Sequence, residues 1–99
     1  MTRLLDEEEI SQQIAALDDW AGGPTGLRRV VKAADFPTAI RIVDEVAVVA
    51  EEMNHHPDID IRWRTLYFTL VTHSAGGVTK ADLALARHID EIVRRHPLA

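Results

Sequence analysis

Apolar and polar positions along the chain follow two different periods, and the switches between them mark the elements. Ile10, Ile14 and Leu17 recur at helical spacing behind an acidic start. There Asp6 can cap, Glu9 follows three residues on, and Leu5 and Ile10 flank the cap as a hydrophobic staple. The pattern predicts a helix from about Asp6 to Leu17, ended by Asp18-Asp19 and a Gly22-Gly23-Pro24 turn. Between Gly26 and Ala34, Leu27, Arg29, Val31 and Ala33 alternate with Arg28, Val30 and Lys32, the period of a strand with one buried face. From Asp35 to Met53 the period becomes helical again, with Phe36, Ala39, Ile40, Val43, Val46, Ala47, Ala50 and Met53 on one side. Asp35 caps this helix and Pro37 lies in its first turn. Ile42 and Val49 widen the apolar arc to about half the circumference, which implies more than one packing neighbour. Pro57 requires the helix to stop near His56.

The cleanest alternation follows, with Ile59, Ile61 and Trp63 on one face and Asp58, Asp60 and Arg62 on the other. Leu66, Phe68 and Leu70 alternate against Tyr67, Thr69 and Val71 in a second strand. A turn at Arg64-Thr65 would pair Trp63 with Leu66, Ile61 with Phe68 and Ile59 with Leu70, making an all-apolar face with Trp63 in the core. Gly76-Gly77 breaks the chain. Thr79, with Asp82 three residues on, opens the last helix as a capping-box variant. Leu85, Ala86, Ile89, Ile92 and Val93 form its buried stripe, and Arg87/Glu91 and Asp90/Arg94 stand as exposed pairs four apart. This order of elements predicts one α+β domain of two layers, an antiparallel sheet with helices packed on one face.

Composition narrows the chemistry. At 99 residues and 46% apolar, the chain can build one domain around one core. A formal charge of -5 argues against direct contact with nucleic acid or anionic lipid, which call for a basic surface. The absence of cysteine removes disulfides, thiolate nucleophiles and thiolate-bound metals. No apolar run approaches the ~20 residues of a membrane span, and no leader-like segment opens the chain, so a cytoplasmic protein is expected.

Histidine supplies the candidate chemistry. In the Arg64-Thr65 register, continued to the strand ends, His56 lies level with His73, and His55 is its neighbour. Three imidazoles are thereby expected at one rim of the sheet. Glu51, four residues before His55, is placed to accept from that ring and fix its tautomer. Asp82 is explained by capping, and His88 and His96 read as surface residues of the last helix. A mononuclear metal site built on the three histidines has the right ligand type, but adjacent rings at His55-His56 make joint coordination awkward.

The array Glu51-x3-His55-His56-Pro57-x5-Trp63-x9-His73-x8-Asp82 resembles the motif of the pterin-4a-carbinolamine dehydratase family. The resemblance extends to Trp20, Asp35-Phe36, Thr72-His73, Gly76-Gly77-Val78-Thr79 and the stretch from Asp82 to Asp90. Two departures stand out: aromatic residues are common in the family where Val31 and Ala33 stand, and a Tyr-Asn turn where this chain has Trp63-Arg64.

The resemblance implies a four-stranded antiparallel sheet with helices on one face, a short strand beginning near Trp20, and conversion of 4a-hydroxytetrahydropterin to quinonoid dihydropterin and water. It assigns His55 and His73 to general acid/base work, His56 to substrate orientation, and Glu51 and Asp82 to supporting the substrate site, with no cofactor and no metal. Imidazole suits that task because it can give or take a proton near neutral pH. The fold family also includes partners of a homeodomain transcription factor and assembly factors for a carbon-fixing enzyme, so a binding or assembly protein is the alternative. A short sheet with open edges and a long helix with a wide apolar arc predict a homodimer or homotetramer.

Overall fold

In the computed structural model, which describes residues 3–99, the chain runs α1 (Glu7–Ile14), β1 (Ala21–Gly23), β2 (Gly26–Lys32), α2 (Phe36–Met53), β3 (Asp58–Arg62), β4 (Thr65–Leu70), a 3-10 turn (His73–Ala75) and α3 (Lys80–Arg94). The four strands pair antiparallel in the order β1-β2-β4-β3. With three helices this is the expected α+β fold.

Each helix starts at its sequence signal. The Asp6 carboxylate accepts from Glu9 N–H at 2.8 Å while the Glu9 carboxylate accepts from Asp6 N–H, a complete capping box. The Arg3 guanidinium grips Glu9 through two bonds of 2.9 Å and, with the Asp6 backbone bond, pulls the Glu9 carboxyl down to about 2. Asp35 caps α2 through Thr38 N–H at 2.8 Å, with Pro37 in the first turn. Thr79 and Asp82 form the capping box of α3.

The first helix ends at Ile14, short of the expected Leu17, although tighter turns carry Leu17 back into the core. Gly22 and Gly23, read as a turn, belong to β1. Gly22 has φ 133° and packs so close to β2 that a Cβ would stand 2.1 Å from the Gly26 carbonyl oxygen, so only glycine fits this strand.

One sheet face is covered. Leu27 and Val31 of β2 and Leu66, Phe68 and Leu70 of β4 are buried with Ile10, Ile42, Val46, Leu85 and Ile89. Fully burying each large aliphatic or aromatic side chain contributes about 1.5–3 kcal/mol. The stripe on α3 is the expected one, but that on α2 is rotated. The buried row is Thr38, Ala39, Ile42, Val46 and Ala50, whereas Phe36 and Ala47 face outward. An arc spanning half a helix cannot choose its own centre. The packing of α2 against α3 and the sheet chooses it, along one row of residues spaced by four.

The hairpin differs from its expected register. Arg62 pairs with Thr65, Ile61 with Leu66 and Ile59 with Phe68, so the turn is Trp63-Arg64. The offset keeps every side chain on its face but moves each partner by two residues. Trp63 takes φ 56°, the left-handed conformation a tight hairpin favours, and the Arg64 guanidinium stacks over its ring at 4.7 Å. The far end of β2 braces the turn through Ala33 N–H to the Arg64 carbonyl at 2.9 Å and the Arg64 guanidinium to the Ala34 carbonyl at 3.1 Å. Trp63 is therefore not core. At the sheet edge the cover runs out, leaving Ile59 partly buried, Ile61 exposed and Trp63 70% exposed. Among the described residues no helix is long and apolar enough to cross a membrane.

Candidate active site

The site forms where α2 ends, β4 exits and α3 begins. Asn54 closes α2 in the left-handed conformation, φ 50°. Its N–H reaches the Glu51 carbonyl at 3.1 Å, and the next N–H, of His55, reaches the Ala50 carbonyl at 2.9 Å. This closure reverses the chain and directs His55 inward while the adjacent His56 stays outside. The turn near His56 inferred from Pro57 thus comes two residues earlier, at Asn54, whose short amide side chain tolerates positive φ.

His55 Nε2 lies 2.5 Å from Asp82 Oδ1, and its side chain is only 13% exposed. Asp82 is fully buried, and its second oxygen accepts from Thr79 N–H at 2.9 Å and from the Thr72 hydroxyl at 2.8 Å. A carboxylate accepts and does not donate, so Nε2 is the nitrogen that donates to Asp82, and Nδ1 takes no part in this contact. The capping explanation of Asp82 is correct for one oxygen; the other holds an imidazole. Asp82 presents no exposed surface, and its partners are His55, Thr72 and Thr79.

Glu51 does not orient His55. Its carboxylate stands 3.2 Å from His56 Nε2, in a pair exposed on both sides. One turn of helix separates Glu51 from position 55, but the left-handed Asn54 breaks that geometry and brings position 56 round instead. His73 opens the 3-10 turn and is exposed. With residues pairing as Arg62 with Thr65, strand register does not set His56 level with His73. What links the histidines is Asp82, which binds His55 directly and Thr72, the residue before His73, through its other oxygen. Among the described residues no group of three His, Asp or Glu side chains is arranged to hold a metal ion.

The loop carrying Thr72 and His73 is anchored twice. Thr72 and Gly77 bond each other's backbone, and Val78 N–H reaches the Pro24 carbonyl at 3.0 Å. At Gly77 a Cβ would stand 2.8 Å from the Pro24 carbonyl oxygen, so the close approach requires glycine.

The remaining candidates lie elsewhere. Trp20 donates its indole N–H to Asp90 at 2.7 Å, and Arg29 meets the same oxygen at 2.5 Å. Asp90 is thereby engaged with the sheet and not with Arg94, and Arg87 bonds Gln13 of α1 and not Glu91. His88 is exposed, whereas His96 lies just past α3 and closes on Glu45 of α2. That contact, with Arg95 beside it, holds the Glu45 carboxyl below its ordinary value. Asn54 is the site residue that the sequence reading missed, and Thr72 entered it only through the family resemblance, with no part in the site assigned to it. A residue tolerant of positive φ just before the His-His-Pro sequence was the available signal for Asn54.

A small α+β fold with a part-buried His-Asp pair and an exposed histidine at one sheet rim is a frame for proton-transfer chemistry. The family model described as pterin 4 alpha carbinolamine dehydratase matches residues 3–92. A Nocardia farcinica protein provisionally named pterin-4-alpha-carbinolamine dehydratase is 54% identical over 93 residues, covering 94% of this chain and 98% of its own. A similarly named Mycobacterium sp. (strain KMS) protein is 48% identical over 92 residues, covering 93% and 98%. The crystal structure of a transcriptional coactivator/pterin dehydratase from Brucella melitensis superimposes with a TM-score of 0.87 at 34% identity, covering 92% of this chain and 99% of that one. A pterin dehydratase-like RuBisCO assembly factor of the alpha-carboxysome shares the fold, with a TM-score of 0.62 at 23% identity over 75% of this chain and 86% of its own. The chain belongs to the pterin-4-alpha-carbinolamine dehydratase family.

Proposed function

We propose that the protein dehydrates a 4a-hydroxytetrahydropterin, with His55 as general base and His73 as general acid. The observation that carries this reading is the 2.5 Å contact between His55 Nε2 and the buried Asp82 carboxylate. It leaves Nδ1 as a proton acceptor, and the buried carboxylate stabilises the imidazolium formed when a proton arrives. In the reaction the pterin N5–H gives its proton to His55 Nδ1, and the N5 electron pair forms the C4a=N5 double bond. The C4a–O bond breaks, and the departing hydroxyl takes a proton from His73 to leave as water. His73, exposed at the start of its turn, stands where it can exchange protons with solvent between turnovers. His56, exposed and paired with Glu51, orients the ring system, and Asp82 acts through His55.

The test is decay of freshly generated 4a-hydroxytetrahydropterin, followed by its ultraviolet absorbance against the spontaneous rate. His55→Ala and His73→Ala should each lower turnover by roughly 10²- to 10⁴-fold with the fold retained. His56→Ala should raise KM more than it lowers kcat, and His88→Ala should behave as wild type. A wild-type protein that leaves the spontaneous rate unchanged would replace this reading with the binding or assembly role.

We also propose that the chain self-associates. Support comes from β3, which lies at the sheet edge, and from Phe36, Val48, Ile61 and Trp63, large apolar side chains left exposed. Light scattering at micromolar concentration should give at least a dimer's mass, and a monomer's mass would refute it.

A further inference from the structure

The dehydratase reading uses one oxygen of Asp82, and the structure also accounts for the other. Thr72 Oγ1 lies 2.8 Å from Thr79 Oγ1 and 2.8 Å from Asp82 Oδ2. Since the carboxylate can only accept, Thr72 gives its hydroxyl proton to Asp82 and must accept one from Thr79. Thr79 in turn accepts from Ala81 N–H at 3.2 Å, which leaves its hydroxyl proton for Thr72. The direction of the chain is thereby settled: Ala81 N–H to Thr79, Thr79 to Thr72, Thr72 to Asp82.

Resting on the reading above, we propose that Thr72 is a positioning residue of this site. Its hydroxyl, oriented by Thr79, holds the Asp82 carboxylate in the one rotation that presents Oδ1 to His55, and so selects Nδ1 as the nitrogen left for the substrate.

Three observations carry this. Rotation of a carboxylate about its last torsion is soft, so a single donor cannot define it. Two donors on Oδ2, Thr79 N–H and the Thr72 hydroxyl, leave Oδ1 with one direction in which to point. Thr72, Thr79 and Asp82 are all buried, at 7%, 0% and 0% exposure, so water cannot readily replace a lost donor. Finally, Thr72 reaches both histidines. Its side chain acts on His55 through Asp82, and its carbonyl accepts from Ala75 and Gly76 N–H at 3.0 Å, closing the turn that begins at His73.

The experiment uses the full chain and reads the His55 ring directly. Long-range nitrogen–proton NMR should show one Nε2–H tautomer at His55 in the wild type. In Thr72→Val, similar in shape but without a donor, the signals should become those of a tautomer mixture. Thr72→Ser should restore the single form. In turnover, Thr72→Val should lower kcat by about 10- to 100-fold, the range for groups that orient a functional ligand from outside, with KM changed less than threefold. Thr72→Ser should recover most of that loss. Combined with Asp82→Asn, Thr72→Val should add little, because the path to His55 is already cut. If the valine variant does not fold, Thr72→Cys, of similar size with a weak donor, carries the same expectation in the same direction.

A folded Thr72→Val that keeps a single Nε2–H tautomer overturns the proposal, as does a loss of kcat that serine fails to rescue. Failure of the dehydratase reading looks different. The wild type would then show no activity, while the tautomer at His55 would still respond to Thr72.

Discussion

Asp82 and Asp90 stand near the two ends of α3, roughly 12 Å apart along its axis at 1.5 Å per residue. Both draw in partners from distant parts of the chain. Asp90 holds the Trp20 indole and the Arg29 guanidinium, with Asp19 at 3.4 Å on the other side of the arginine. Asp82 holds His55, Thr72 and the Thr79 backbone. The partners make the difference. Arginine stays charged at any pH a folded protein meets, so Asp90 is a permanent brace between β2, the entry to β1 and α3. Asp82 is surrounded by neutral donors and one imidazole, a group that can act as either acid or base where a guanidinium cannot. The same residue type on the same helix thus locks a guanidinium at one end and holds an imidazole, the group to which the proposed chemistry assigns proton transfer, at the other.

Separate measurements of stability and turnover can break that contrast. The largest expected effect is on folding. Asp90→Asn strands the Arg29 charge among buried groups and should cost about 3 kcal/mol, the low end for breaking a buried pair, since Asp19 remains nearby. Denaturant titration checks this, and turnover per folded molecule should stay close to wild type. The smaller effect is on chemistry. Asp82→Asn should lower kcat by about 10- to 100-fold, because an amide N–H facing His55 favours the wrong tautomer. Its stability loss should be the lesser of the two, since the amide oxygen can still accept from Thr79 N–H. Were Asp82→Asn to unfold the protein as readily as Asp90→Asn and leave turnover intact, the two aspartates would be equivalent braces and the contrast would collapse.

The legibility of the site follows the range of the interactions that build it. Asp6, Asp35 and Thr79 were readable as caps because a cap and the N–H it satisfies lie within one helical turn. The strands were readable because alternation is a property of neighbours. The hairpin register was missed by two residues because alternation allows any even shift, and the choice fell to the brace between Arg64 and residues 33–34 of the chain. The partner of His55 was missed for the same reason. Glu51 satisfies helical spacing, but the left-handed Asn54 turned His55 toward an aspartate 27 positions away and left Glu51 to His56.

By itself the sequence pattern determined the three helices, the strands other than β1, their order, the α+β class and the set of histidines and acids from which the site is drawn. Spacing along one chain encodes local hydrogen bonds and which residues are apolar, and those decide helices, strands and caps. Only the tertiary structure decided which half of α2 is buried, that Trp63 lies outside the core, and which carboxylate meets which imidazole. Those outcomes depend on burial and on donors that converge from separate elements. A buried carboxylate takes whatever donors the packing brings to it, and no periodicity along the chain records their arrival.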